Sequence, residues 1–186
     1  MSVRLGTIQR MSNRPGDLYA PTPEGEGRLL LLIDAFSLNQ GSIQGRTKLA
    51  KLDFLLRYPV FFQRAMELRG TSTSGLDHGP VDQNIETRMV RYRYGPWDPS
   101  HYAILGSLIG RGLVEVVRDP GVFGFRTTEL GAGLAERLAE SEPWNKIARR
   151  AVILRREFRI QTGSFLKSWI YEHFPEVTQA SWGDQL

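Results

Sequence analysis

The sequence has no cysteine, which removes a disulfide framework, a thiolate zinc site, an iron–sulfur cluster and a cysteine nucleophile together. That fits a reducing compartment. Histidine is scarce as well. His78, His101 and His173 fall in separate predicted elements, and no two share a helix face at metal-ligand spacing. Long apolar runs are missing too. The longest is Leu29 to Ile33, ended by Asp34, far below the roughly 20 residues that a membrane span needs. No charged-then-apolar segment opens the chain, so a soluble, cytoplasmic protein with no membrane contact is expected. Lysine supplies only 4 of the 24 cations, and the other 20 are arginine. Arginine forks suit phosphates and interface carboxylates, although a GC-rich genome would produce the same bias.

The 186 residues suit one domain, or one domain plus a helical extension, and can bury a sizeable core. Lysine and arginine outnumber aspartate and glutamate by 24 to 20. The stretch 141–160 holds six cations (Lys146, Arg149, Arg150, Arg155, Arg156, Arg159) and two acids (Glu142, Glu157). The rest of the chain therefore balances at 18 against 18, and the whole surplus of four sits in one segment. A localised basic surface is expected there.

Punctuation residues divide the chain. Residues 1–22 read as an N-terminal arm, extended over Val3 to Ile8 and then a proline-rich loop. Thr22-Pro23-Glu24 is an N-cap, a first-turn proline and a first-turn acid, opening a central buried helix over about 24–38. A second helix, about 46–57, places Leu49, Leu52, Leu55 and Leu56 inward and puts Arg46, Lys48, Lys51 and Arg57 on the other side. Pro59 starts a third helix ending near Leu68. Residues 70–84 are polar and glycine-rich, as in a mobile insertion. Arg88 to Tyr94 alternates as a strand. Asp98-Pro99 caps a helix to Arg111 that carries Tyr102, Leu105, Leu108 and Ile109 at helical spacing. Leu113–Arg118 and Val122–Thr127 form a hairpin around Asp119-Pro120-Gly121, and Thr128 caps a helix over about 129–140. Two more helices, about 143–159 and 163–174, follow. The pattern predicts a mostly helical α+β fold: a winged-helix domain over 23–140 with a basic helical extension over 141–186.

Catalytic patterns fall short. Gly41 to Thr47 nearly matches a phosphate loop, but it has three residues between its glycines, arginine where lysine belongs, and a helix before it. Asp77-His78 sits in the insertion, without rigid support. Asp82 and Glu86 could meet near the strand start, but Arg88 is their lone basic neighbour and no acid–x–Lys nuclease pattern follows. No Gly-x-Ser-x-Gly elbow occurs. No catalytic residue, cofactor or metal is expected. Phe61-Phe62 and Phe123, Phe125 have core spacing. Tyr92, Tyr94 and Trp97, alternating with Arg91 and Arg93, suit stacking on bases better than the first pair does, but core packing around the Gly95-Pro96 corner is their expected use.

The would-be recognition helix offers little to a base edge. Its face opposite Tyr102, Leu105 and Ile109 carries Ser100, Ala103, Gly106, Ser107 and Gly110. Such small residues permit close approach of another backbone, so Ala103, Gly106, Ser107 and Gly110 are assigned to partner packing. Arg118 and Arg126 on the hairpin can hold phosphates without sequence preference, or face solvent. In the last basic segment, Ile147, Ala151, Leu154 and Phe158 form the apolar stripe. Lys146, Arg149, Arg150 and Arg156 share one flank, and Arg155 and Arg159 lie near the other edge. That flank suits DNA backbone, an acidic partner surface, or plain solvent.

Four stretches carry a family resemblance. They are Gly45–Pro59, Tyr92–Asp98 continuing through Ile109–Val114, Thr128-Glu129-Leu130-Gly131, and Thr162–Lys167. Together they resemble the middle components of bacterial ABC-three-component systems, including the small subunit of Lamassu-type anti-phage defence. The resemblance implies a non-catalytic winged-helix subunit that joins an SMC- or Rad50-like coiled-coil ATPase to an effector, such as a nuclease. It implies activity when the ATPase engages foreign double-stranded DNA, without sequence preference. It supplies no catalytic residues. The insertion 70–84 departs from a compact DNA-reading helix-turn-helix. A stand-alone winged-helix transcriptional regulator is the alternative that the fold permits.

Overall fold

The computed structural model describes residues 20–73, 76, 90–92, 95–98, 100–119, 121–142 and 144–179. The expected N-terminal strand, most of the insertion 70–84, and Asp77, His78, Asp82, Glu86, Arg88, Arg93 and Tyr94 lie outside them. The described residues form a mostly helical α+β structure with two small antiparallel sheets.

Helix α1 (Pro23–Ser37) is the centre. Thr22 caps it, its hydroxyl accepting from Gly25 N, and Pro23 occupies the first turn. Leu29 to Ile33 are all buried, because the helices Arg46–Arg57, His101–Gly110, Glu129–Ala139 and Trp144–Phe158 and the strand Val122–Thr127 all pack around α1. Each such leucine contributes about 2 kcal/mol through burial. Gly27 lies beneath the Trp144 indole, where a Cβ would come within 2.7 Å of Cη2. Close contact there needs glycine.

A left-handed pair, Asn39 (φ 58°) and Gln40 (φ 61°), ends the first helical segment. Strand β1 (Ile43–Gln44) follows, and Gly45, at φ 81°, turns the chain into α2 (Arg46–Arg57). Helix α3 (Pro59–Leu68) comes after the expected break. Strands β2 (Val90–Tyr92) and β3 (Gly95–Trp97) pair antiparallel, so the predicted single strand to Tyr94 is in fact the first arm of a hairpin. Then come α4 (His101–Gly110), β4 (Val114–Asp119), β5 (Val122–Thr127) and α5 (Glu129–Ala139), the last capped by Thr128 as predicted. The sheet order is β1-β5-β4, with Ile43 opposite Phe125 and Val116 opposite Phe125 on its other side.

Helices α6 (Trp144–Phe158) and α7 (Gly163–His173) pack on α1 and α2, and their apolar residues join the same buried cluster. A short α8 (Pro175–Gln179), absent from the sequence reading, buries Val177 and fixes the chain through an Arg64–Glu176 ion pair. No helix of the described residues is long and apolar enough to cross a membrane.

Candidate functional site

One of the expected outward faces turns inward. Lys48, Lys51 and Arg57 were expected on the solvent side of α2, yet each is buried, because α1, α3, α6 and α7 cover the helix on several sides. Of the four cations only Arg46 is exposed. Arg57 belongs to a buried ion network. Its Nη2 lies 2.5 Å from Asp98 Oδ2 and 3.6 Å from Asp53 Oδ2. Arg28 Nε donates to Asp53 Oδ1 at 2.7 Å, and Arg28 Nη2 stands 3.9 Å from Asp98. His101 Nδ1 is 3.8 Å from Asp53 Oδ2. Ser100, expected on an outward face, is buried; its N and Oγ both donate to Asp98 Oδ1, at 2.8 and 2.5 Å.

Two arginines against two aspartates make the network neutral, which is what allows it to be buried. Burial pushes the Asp53 carboxyl up, but the charges of Arg28 and Arg57 and a hydrogen bond from His101 outweigh it and hold it well below the usual range. Asp98 is lowered in the same way: burial opposes, while Arg57 and Ser100 prevail. The network joins α1, α2 and the start of α4. Its sequence signal was an aspartate in the middle of the leucine-rich Lys51–Arg57 run, four residues before an arginine.

Lys48 Nζ donates to the Arg159 carbonyl at 2.7 Å. Burial lowers its pKa to about 8. Burial, with the Lys167 charge nearby, lowers Lys51 to about 8 as well.

Helix α6 follows the predicted stripe. Ile147, Ala151, Leu154 and Phe158 are buried, and Arg149, Val152 and Arg156 point outward at spacings of three and four. Lys146, Arg150 and Arg155 are half-buried along its edges, and Arg159 is exposed just past its end. Arg156 Nε lies 3.0 Å from Glu157 Oε1, which leaves that pair partly neutralised. Val152 and Ile160 are 51% and 79% exposed, so large apolar groups interrupt the cations.

The hairpin separates its two arginines. Arg118 faces Phe123 and Arg126 faces Glu115 across the ladder, and the alternation of side chains puts the two cations on opposite faces. Arg126 is engaged: Nη2 and Nε contact Glu115 Oε1 at 2.6 and 2.9 Å, and Nη1 donates to Gln40 at 2.8 Å. That bond helps hold the left-handed Asn39–Gln40 turn. Behind it, a polar cleft includes Asp34, whose carboxyl is raised by burial despite a hydrogen bond from the Thr127 hydroxyl at 3.0 Å. Phe123, expected in the core, is 57% exposed, because the hairpin tip projects past the body.

On α4 the inward residues are His101, Ile104, Leu105 and Leu108. Tyr102 was expected with them but is 49% exposed, and the Arg46 guanidinium lies over its ring at 5.4 Å. The small-residue face is divided. A Cβ added at Gly106 or Gly110 would meet nothing within 4 Å, and Ala103 is half-buried. Ser107 bonds Glu26 of α1, which also pairs with Arg111 at 2.8 Å. The sequence reading missed Arg46, Tyr102 and Phe123 as a surface, because Tyr102 and Phe123 fit the apolar spacing of their elements.

Among the described residues no group of three His, Asp or Glu could hold a metal ion. No protein-family model, curated protein or solved structure matches the chain.

Proposed function

We propose that the chain is an interaction subunit: a winged-helix domain that docks through α6 onto an SMC- or Rad50-like coiled-coil ATPase and couples it to an effector, such as a nuclease, in anti-phage defence. The observation that carries this reading is the outward row Arg149, Val152 and Arg156, continued by exposed Ile160. Cations interleaved with large aliphatic groups suit a protein surface with an acidic rim, where aliphatic contacts exclude water and arginines pair. The element order α1, β1, α2, α4, β4, β5 supports the winged helix, with α3 and the β2–β3 hairpin inserted before α4.

Affinity purification from the native host, with mass spectrometry of the eluate, tests the reading. A long coiled-coil ATPase is expected to co-purify with wild-type chain and to be lost with Arg149→Glu plus Arg156→Glu. Recovery of the chain alone, as a symmetric dimer on one DNA sequence, would establish the transcriptional regulator instead.

A further inference from the structure

We propose that Arg46 and Arg118, each held against an exposed ring, form a binding site for the sugar-phosphate backbone of double-stranded nucleic acid. Arg118 lies 5.6 Å from the Phe123 ring centroid and Arg46 lies 5.4 Å from that of Tyr102. One hydrogen bond ties the two pairs together: Gly45 N, adjacent to Arg46, donates to the Phe123 carbonyl at 2.7 Å. Direct contacts thus link the hairpin tip to the start of α2 and the start of α2 to the start of α4.

Charge singles these two arginines out from their neighbours. Arg111 is taken by Glu26 and Arg126 by Glu115. Among the described residues Arg46 and Arg118 form no ion pair. Each side chain is exposed. A guanidinium resting on a ring keeps the N–H donors at its edge, is held in place without being neutralised, and matches phosphate oxygens in a forked geometry.

The face has the wrong texture for the centre of a protein interface. The hairpin face that enters the core at Val114 and Phe125 leaves it at Val116, Arg118 and Phe123. Each of the two exposed rings has a guanidinium beside it, a charge that the dry apolar core of a protein interface is depleted of. Contacts limited to phosphates fix position without reading sequence. This site uses none of the α6 docking residues, so it stands or falls separately from the subunit reading.

The experiment is fluorescence anisotropy of the full chain with labelled mixed-sequence DNA duplexes of about two helical turns, over a range of salt. Two unrelated duplexes are expected to bind within about threefold of each other. Arg46→Glu with Arg118→Glu should weaken both about tenfold or more and lower the slope of log K against log salt by about 2. Arg126→Gln, which removes a guanidinium already held by Glu115, should change affinity less than about twofold. Should the double reversal melt early, Arg46→Gln with Arg118→Gln reads the same slope. Failure of wild-type chain to bind duplex, or unchanged affinity and slope in the double variant, overturns the site. Displacement of the duplex by poly-glutamate at equal charge makes the face an acidic-protein surface and also overturns it. So does tighter binding to an unpaired oligonucleotide.

Discussion

Helix α2 holds Arg46, Lys48, Lys51 and Arg57 among leucines, and helix α6 holds five cations around a comparable apolar stripe. In α6 the cations line the flank and outer face of a helix covered on one side only. In α2 three of the four are buried. The difference lies outside both helices. Packing on α2 comes from several directions, and Asp98 and the Arg159 carbonyl arrive from outside to receive Arg57 and Lys48, beside the Asp53 that α2 itself carries four residues before Arg57. A cation's place on a helical wheel therefore predicts its exposure only when the rest of the fold leaves that side open.

The largest break in this comparison comes from removing an acid in the buried network. Asp53→Ala leaves Arg28 and Arg57 short of a partner in the core, and the expected cost is about 3–5 kcal/mol in urea denaturation. A loss below about 1 kcal/mol would show that the cations reach water, as they do on α6.

Acid should act next. Asp53 and Asp98 titrate below their usual range in the folded chain, so the unfolded chain binds more protons as pH falls through about 4. The stability these groups provide is complete above that pH and is lost progressively below it. Thermal melts should show the melting temperature falling from about pH 4 downward, and Asp98→Asn should flatten part of that slope.

Base should do the reverse, more weakly. With Lys48 and Lys51 lowered to about 8, the unfolded chain holds more protons between that pH and the ordinary value of 10.5. The contribution of these lysines to stability therefore rises with pH across that window. Comparing wild-type chain with Lys48→Met plus Lys51→Met isolates it: the double variant should lack this rise.

The smallest effect sharpens the other side. Arg149→Glu with Arg156→Glu should shift stability by no more than about 0.5 kcal/mol, since both side chains are exposed and, among the described residues, only Arg156 of the two forms an ion pair. A larger loss by denaturation would mean that α6 uses its cations to hold the fold.

Local chemistry made much of the fold readable. Thr22, Thr128 and the Pro59 break marked their helix ends, and the Asp119-Pro120-Gly121 turn marked the hairpin. The α6 stripe was read residue by residue. What stayed hidden depends on residues distant in sequence. Arg57 finds Asp98 across 41 positions and Arg28 finds Asp53 across 25. Tyr102 and Phe123 fit the apolar period of their elements, and only the outward projection of the hairpin and the position of Arg46 keep them from the core. Of the candidate surfaces, the α6 flank was legible because it is local, whereas the ring-held arginines required three elements to meet.

The buried quartet of Arg28, Asp53, Arg57 and Asp98 also constrains how this sequence can drift over generations. Losing any one member strands a charge in the core, while replacing all four with apolar residues of similar size is tolerable. Single-step paths between those two states run through unstable intermediates. Lineages descended from this chain should therefore keep the four together, or have exchanged them together, even where the surface arginines have changed beyond recognition.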